Sequence, residues 1–188
     1  GMLHAFASDA GIERWAYVPT AVIPNMWKLA DKNYATGHVN LVNGSPTISD
    51  ICTENCTCDD ICVEAGGSAP VWKTILVGGL NAGGRSYYAL DITDPATPTL
   101  LWEISPSVAG FENLGYSFGQ PVITKKSDTD GTWVVLVTSG YNNTSPGTGH
   151  GSLFVINAAS GDKISEIDTG VGDTTTPSGL AKIAAWND

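Results

Sequence analysis

Cys52, Cys56, Cys58 and Cys62 lie within the string "ICTENCTCDDIC" and are all the cysteines of this 188-residue chain. Their spacing, C-x3-C-x-C-x3-C, admits three chemistries: a tetrahedral structural zinc site of four thiolates, redox-active free thiols, or disulfide staples. Glu54, Asp59, Asp60 and Glu64 surround the sulfur atoms, and that negative charge disfavours the thiolate that metal binding and redox chemistry need. Four cysteines permit three pairings. Cys56–Cys58 is the least comfortable, because a C-x-C bridge strains its ring. Cys52–Cys62 would close the longest span, a constraint worth roughly 2 to 3 kcal/mol.

The other residues with chemical potential carry weaker patterns. Asp128 and Asp130 in "SDTDG" have the i, i+2 spacing of a calcium loop, but no later carboxylate completes an oxygen cage of six to eight donors. That stretch is expected to be a glycine-containing hairpin turn. "NAGGRS" (81–86) is glycine-rich, yet a strand-like run follows it rather than the helix N-terminus of a phosphate loop, so a turn is expected again. His4, His38 and His150 stand far apart with no Ser/His/Asp or Cys/His spacing around them, so no catalytic residue is assigned. Trp15 and Trp102 occupy matching places in a repeat, as do Trp72 and Trp133. Repeated placement points to packing rather than to a single cofactor pocket.

Nineteen acidic residues against nine basic ones give a net charge of −10. Such a surface repels phosphate backbones and anionic lipid, which excludes nucleic acid and a bare membrane as expected partners. No apolar run reaches bilayer-spanning length. The chain opens on strand-like "GMLHAF" and closes in mid-pattern on "AAWND", so it reads as a piece of a larger protein. With 22 glycines, 10 prolines and abundant β-branched and aromatic residues, short strands joined by tight turns are favoured.

These strands repeat. "GMLHAFASDAGIERW", "RSYYALDITDPATPTLLW" and "GSLFVINAASGDKIS" each read as strand, polar turn, strand, with Gly11, Pro95 and Gly161 at the reversal. Out of phase with them, "GSPTI" (44–48), "GQPVI" (119–123) and "GLAKI" (179–183) recur, each of the first two followed by an apolar run ending in small residues. The order is strand A, strand B, then hairpin C–D, four antiparallel strands per unit. The fold class is therefore all-β: a partial β-propeller of four-stranded antiparallel blades. The units divide as 1–18 (strands C and D of one blade), 39–104 (a second blade with a Cys-rich insertion at 51–70), 115–168 (a third blade) and 177–188 (the start of a fourth). One short helix is predicted near 20–31, where Val22, Met26, Leu29 and Ala30 have helical spacing and Pro24 sits near a start. An incomplete ring exposes strand edges, so self-association is expected.

"GMLHAF", "WAYVP", "VNGSPTISD", "ILVGGLNAGGRSYYALDITDP", "LLWEIS", "LGYSFGQPVI" and "GLA" follow one another in an order that resembles the C-terminal propeller of the PilY/PilC-type proteins, adhesins and assembly factors of bacterial type IV pili. The resemblance covers nearly the whole chain except 51–70. It implies a non-enzymatic module at the cell surface, pilus tip or outer membrane, acting in attachment and in the balance of pilus extension and retraction. Pilins or minor pilins and host-surface receptors would be its partners. It also implies calcium for the full-length family, held by an Asp-rich loop soon after the "GLA" strand. Asn187 and Asp188 could open that loop, but its remaining ligands are absent from this chain, so no cofactor is expected here. An extracellular setting favours disulfides among Cys52, Cys56, Cys58 and Cys62, with their connectivity open. The alternative reading is a quinone-dependent (PQQ-type) dehydrogenase propeller. In either case the D–A and B–C loops share one face, which places the 20–31 helix beside the polar loop 141–150. Tyr141, Asn142 and Asn143 form the candidate recognition loop there, with the cysteine loop on the opposite face.

Overall fold

In a computed structural model, which describes residues 1–57, 63–64, 66–127 and 131–185, the chain forms ten strands in three antiparallel sheets. The first sheet is the hairpin β1 (Leu3–Phe6) and β2 (Glu13–Tyr17). The second contains β3 (Thr47–Glu54), β4 (Val71–Gly79), β5 (Tyr87–Asp91) and β6 (Thr99–Ile104), adjacent in chain order. The third contains β7 (Val122–Lys125), β8 (Trp133–Thr138), β9 (Ser152–Asn157) and β10 (Lys163–Asp168), again in chain order. Two consecutive four-stranded meanders and a preceding hairpin are the blades that the repeat predicts.

The alternation of side chains along a strand explains how the sheets stack. On β4 and β5, Ile75, Val77, Tyr87 and Ala89 point one way, into a core shared with Val135, Val137, Phe154 and Ile156 of the third sheet. Leu76, Tyr88 and Leu90 point the other way, into a core with Leu3, Trp15 and Tyr17 of the first sheet and Val22. The second sheet is thus apolar on both faces, and for that reason its β5 reads "YYAL" without a polar residue until Asp91. Each large side chain so buried contributes about 1.5 to 3 kcal/mol.

The recurrent tryptophans join neighbouring sheets. Trp15 on β2 donates its indole N–H to the Pro95 carbonyl (2.9 Å), and Trp102 on β6 donates to the Ala158 carbonyl (2.9 Å). In both cases the acceptor lies in the C–D turn of the next sheet. Gly161 in that turn has φ +79°, and a Cβ there would come within 2.6 Å of Trp102, so both backbone sign and indole contact require glycine. Trp72 and Trp133 meet edge to face at 5.9 Å. Nearer the inner strands, a Cβ on Gly44 would lie 2.1 Å from the Gly79 carbonyl oxygen. The glycine of "GSPTI" therefore permits main chain to touch main chain.

The short helix predicted near 20–31 is present as Thr20–Ala30, with 3-10 geometry. Pro24 lacks the N–H that an α-helical ladder would use, and only Val22 is fully buried, while Leu29 is 42% exposed. The Cys-rich insertion does not begin at 51: Ile51, Cys52 and Glu54 pair with Lys73, Trp72 and Val71 as the end of β3. Ile51 is 1% exposed; its apolar side chain belongs to the sheet core, so the departure from the sheet begins after Glu54. At the other end, Leu180 bridges to Gly140, but residues 181–185 form no strand.

Asp91 ends β5. Its carboxylate accepts from the Thr93 N–H (3.0 Å) and hydroxyl (2.6 Å) and pairs with Lys73 (2.9 Å). Burial pushes its pKa up, but the bonds from Thr93 and Lys73 together outweigh this and lower it from 3.8 to about 2. A folded value below the ordinary one gives stability that is present above pH 3.8 and is lost as pH falls towards 2. Asp91→Asn is therefore expected to flatten the pH dependence of unfolding over that window, as read by urea titrations at each pH. Trp102→Phe keeps most of the ring but removes the bond to Ala158. It is expected to cost about 1 to 3 kcal/mol in the same urea titrations at neutral pH, since the carbonyl is left buried and unpaired.

Candidate functional site

The loops at one end of the sheets converge on a cleft of about 830 Å³. Its walls are the 3-10 segment (Thr20, Ala21, Asn25, Lys28), the stretch after β6 (Ser105–Val108) and the β4–β5 turn (Ala82–Ser86), with Tyr116 closing one side. Each wall has a structural reason to be where it is. Glu103 on β6 accepts from the Tyr17 hydroxyl and from the Thr20 N–H (2.9 Å), which anchors the start of the 3-10 segment to the second sheet. Burial pushes the Tyr17 pKa up, and the Glu103 carboxylate adds to the rise, so this phenol stays a donor.

The turn "NAGGRS" is a connection between β4 and β5, as read from the sequence, and contains the short 3-10 turn Asn81–Gly83. What the sequence did not signal is the use of Arg85. Its Nε donates to the Leu114 carbonyl (2.8 Å), Nη1 to Ser145 (2.9 Å) and Nη2 to Pro146 (2.7 Å). Burial lowers its pKa below the ordinary guanidinium range, and neighbouring Tyr116 works in the other direction. One guanidinium thus pins the loop 141–150 beside the cleft. The only sequence hint is an arginine immediately after a tight glycine turn; its partners are distant backbone carbonyls that no side-chain pattern reveals.

Of the candidate recognition loop, Tyr141 is 45% exposed and packs edge to face on Phe118 at 5.5 Å. Asn142 is exposed, in a left-handed conformation with φ 57°. Asn143 is not part of that surface: it is fully buried, and its Nδ2 donates to the His150 carbonyl (2.7 Å) while its own carbonyl accepts from the Gly149 N–H (3.0 Å). The loop folds around this amide, which is why a polar residue in a polar stretch faces inward. Its far end is tied down by His150, whose Nδ1 meets Asp168 at 2.9 Å. That contact, with the Gly170 N–H, lowers the Asp168 pKa.

The opposite end carries Cys52 and Cys56. Cys52 and Cys56 form a disulfide with Cα atoms 5.6 Å apart. Cys58 and Cys62 lie outside the described residues, as do Asp128, Asp130 and Asp188. A Cβ on Gly131 would approach Cys56 Cβ to 2.8 Å, so the stapled corner of the second sheet rests on the β7–β8 connection of the third. Among the described residues no group of three or more His, Cys, Asp or Glu is placed to hold a metal ion. His4 contacts Glu13 (3.1 Å) and His38 stacks near Tyr34 (5.4 Å), each at a different place from His150.

Arg85→Ala is expected to release the 141–150 loop while leaving the sheets intact. Amide hydrogen exchange should quicken at 143–149 by about tenfold or more, with no change in β4, β5 or β8.

Residues 1–185 match the family model described as the PilY1 beta-propeller domain. A Type IV pilus biogenesis factor PilY1 homolog of Xylella fastidiosa is 37% identical over 171 residues, covering 89% of this chain and 10% of that protein. The Type IV pilus biogenesis factor PilY1 of Pseudomonas aeruginosa (strain PAO1) is 35% identical over 182 residues, covering 96% of this chain and 14% of that protein. The chain thus spans a small part of these relatives. The crystal structure of the Pseudomonas aeruginosa PilY1 C-terminal domain superposes with a TM-score of 0.67 at 33% identity, covering 97% of this chain and 31% of that one.

Proposed function

The chain belongs to the PilY1 β-propeller family, and from that premise we propose that it is a non-enzymatic recognition module of a type IV pilus biogenesis factor, displayed at the cell surface. Its role is to engage pilins or minor pilins and host-surface receptors, and so to act in attachment and in the balance of pilus extension and retraction. The observation that carries this reading is the cleft between the 3-10 segment and the β4–β5 turn, next to the pinned 141–150 loop. Its lining is mixed: the amides of Asn25 and Asn40, the hydroxyls of Ser105 and Ser107, the Lys28 ammonium and the Tyr116 ring. A rigid concave surface with a few convergent polar groups suits selective binding of a partner. The names of the relatives support the pilus assignment. The Cys52–Cys56 disulfide supports an oxidising compartment. No helix of the described residues is long and apolar enough to cross a membrane.

The four repeated tryptophans do not gather at one site, as stacking platforms for a quinone cofactor would. Trp15, Trp102, Trp72 and Trp133 all pack between neighbouring sheets. The isolated chain also leaves β1 paired on one side only among the described residues, which supports self-association through that edge.

The test is a triple variant, Asn25→Ala, Lys28→Ala and Asn40→Ala, in the full-length protein of a piliated strain. Attachment to host cells is expected to fall by about tenfold, equivalent to about 1.4 kcal/mol of binding, with the melting temperature unchanged. Normal attachment together with a normal pilus count would overturn the assignment of recognition to this face.

A further inference from the structure

Beside the cleft, a second group of side chains is arranged for covalent chemistry. Glu166 on β10 bridges an amine and a carboxamide: its Oε2 accepts from Lys163 Nζ (2.9 Å) and its Oε1 from Asn113 Nδ2 (2.8 Å). Lys163 and Glu166 could not share a face of a regular strand, but the register of β10 against β9 shifts between Lys163 and Ser165, which turns both to the same side. Asn113 comes from the connection between the second and third sheets. Its Oδ1 accepts from the Thr148 N–H (2.9 Å) and hydroxyl (3.2 Å) of the 141–150 loop. The floor is apolar: the Phe154 ring lies 6.0 Å from Nζ and packs at a tilt against Phe111, and both rings are buried. Gly110 leaves room for the lysine stem, 3.2 Å from where its Cβ would be.

We propose that Lys163 and Asn113 form an intramolecular isopeptide bond, with Glu166 as the proton shuttle. Every polar atom of Asn113 is engaged by a group that acyl transfer requires. Glu166 takes a proton from the Lys163 ammonium, a transfer between the two partners of an ion pair that rests on an apolar floor. The free amine attacks Asn113 Cγ, and the negative charge that develops on Oδ1 is met by the Thr148 N–H and hydroxyl, two donors already in place. Glu166 passes its proton to Nδ2, the Cγ–Nδ2 bond breaks, and ammonia leaves. The new amide nitrogen then gives up its extra proton through Glu166. One C–N bond forms, one breaks, and nothing is oxidised or reduced. Lys163 retains 28% of its side-chain exposure, a route by which ammonia escapes. The bond would fasten the outer strand β10 to the connection between the second and third sheets, beyond any role of the cleft in recognition.

Tryptic mapping of the purified full-length protein by mass spectrometry tests this directly. The expected result is a branched peptide joining the Lys163 and Asn113 segments, lighter by one ammonia than its two parts. Branching matters, because a succinimide at Asn43–Gly44 would lose the same mass without joining two peptides. In Glu166→Gln, which keeps the side-chain shape but cannot carry the proton, the branched peptide should be lost while the unlinked peptides appear. Lys163→Arg should do the same. Only unlinked peptides in the parent protein, after prolonged incubation as well as when fresh, would show an ion pair only and overturn the proposal. A branched peptide that survives Glu166→Gln would remove Glu166 from the chemistry.

Discussion

Leaving a buried indole N–H unpaired costs about 1 to 3 kcal/mol, and Trp15 and Trp102 each donate to an acceptor. In this fold the acceptor is on another sheet. Trp15 reaches the turn of the second sheet and Trp102 the turn of the third, so β2 and β6 are each bound to the next sheet by the same device. The bond sets how far apart neighbouring sheets stand, and the alternating side chains of β4 and β5 then fill the two gaps so defined. It also explains the glycine at the reversal of the third hairpin, since Gly161 is what Trp102 lies against. Sheet spacing in turn fixes where the connecting loops emerge. The cleft, the pinned loop and the stapled cysteine corner all take their positions from it.

Connections alternate between the two ends of a meander, so the ends of this molecule have separate tasks. One end gathers the 3-10 segment, the β4–β5 turn and the 141–150 loop into a concave surface. The other end carries the Cys52–Cys56 staple against the Gly131 turn. Cys52 and Cys56, among the chemically most distinctive residues of the chain, therefore act as local reinforcement at the end away from the cleft. The groups that shape the cleft are ordinary polar residues that become a surface only when three loops meet.

The blade frame was legible because it is written in residues with few substitutes. Glycine at Gly44 and Gly161, and indoles at Trp15 and Trp102, answer constraints of close approach and of hydrogen bonding that recur with the repeat. The helical type of Thr20–Ala30 was not legible, since apolar residues three and four apart suit both 3-10 and α geometry. Asn143 was misread for a different reason. Polarity predicts exposure only when no main-chain group offers a partner, and this amide has one in the His150 carbonyl. Ile51 and Cys52 looked like part of the insertion because the cysteine spacing masks the period-two pattern that continues through them. The role of Arg85 leaves no pattern in the sequence, as its partners lie up to 61 positions away and are backbone atoms.

That last feature has a bearing on how the surface can evolve. Arg85 recognises the carbonyls of Ser145 and Pro146, not their side chains. Main-chain carbonyls are present whatever residue is encoded, so the anchor is blind to the sequence of the loop it holds. The outward-facing side chains of 141–150 can therefore be exchanged while the loop keeps its path. A loop held this way can change the side chains it presents to solvent without renegotiating the fold beneath.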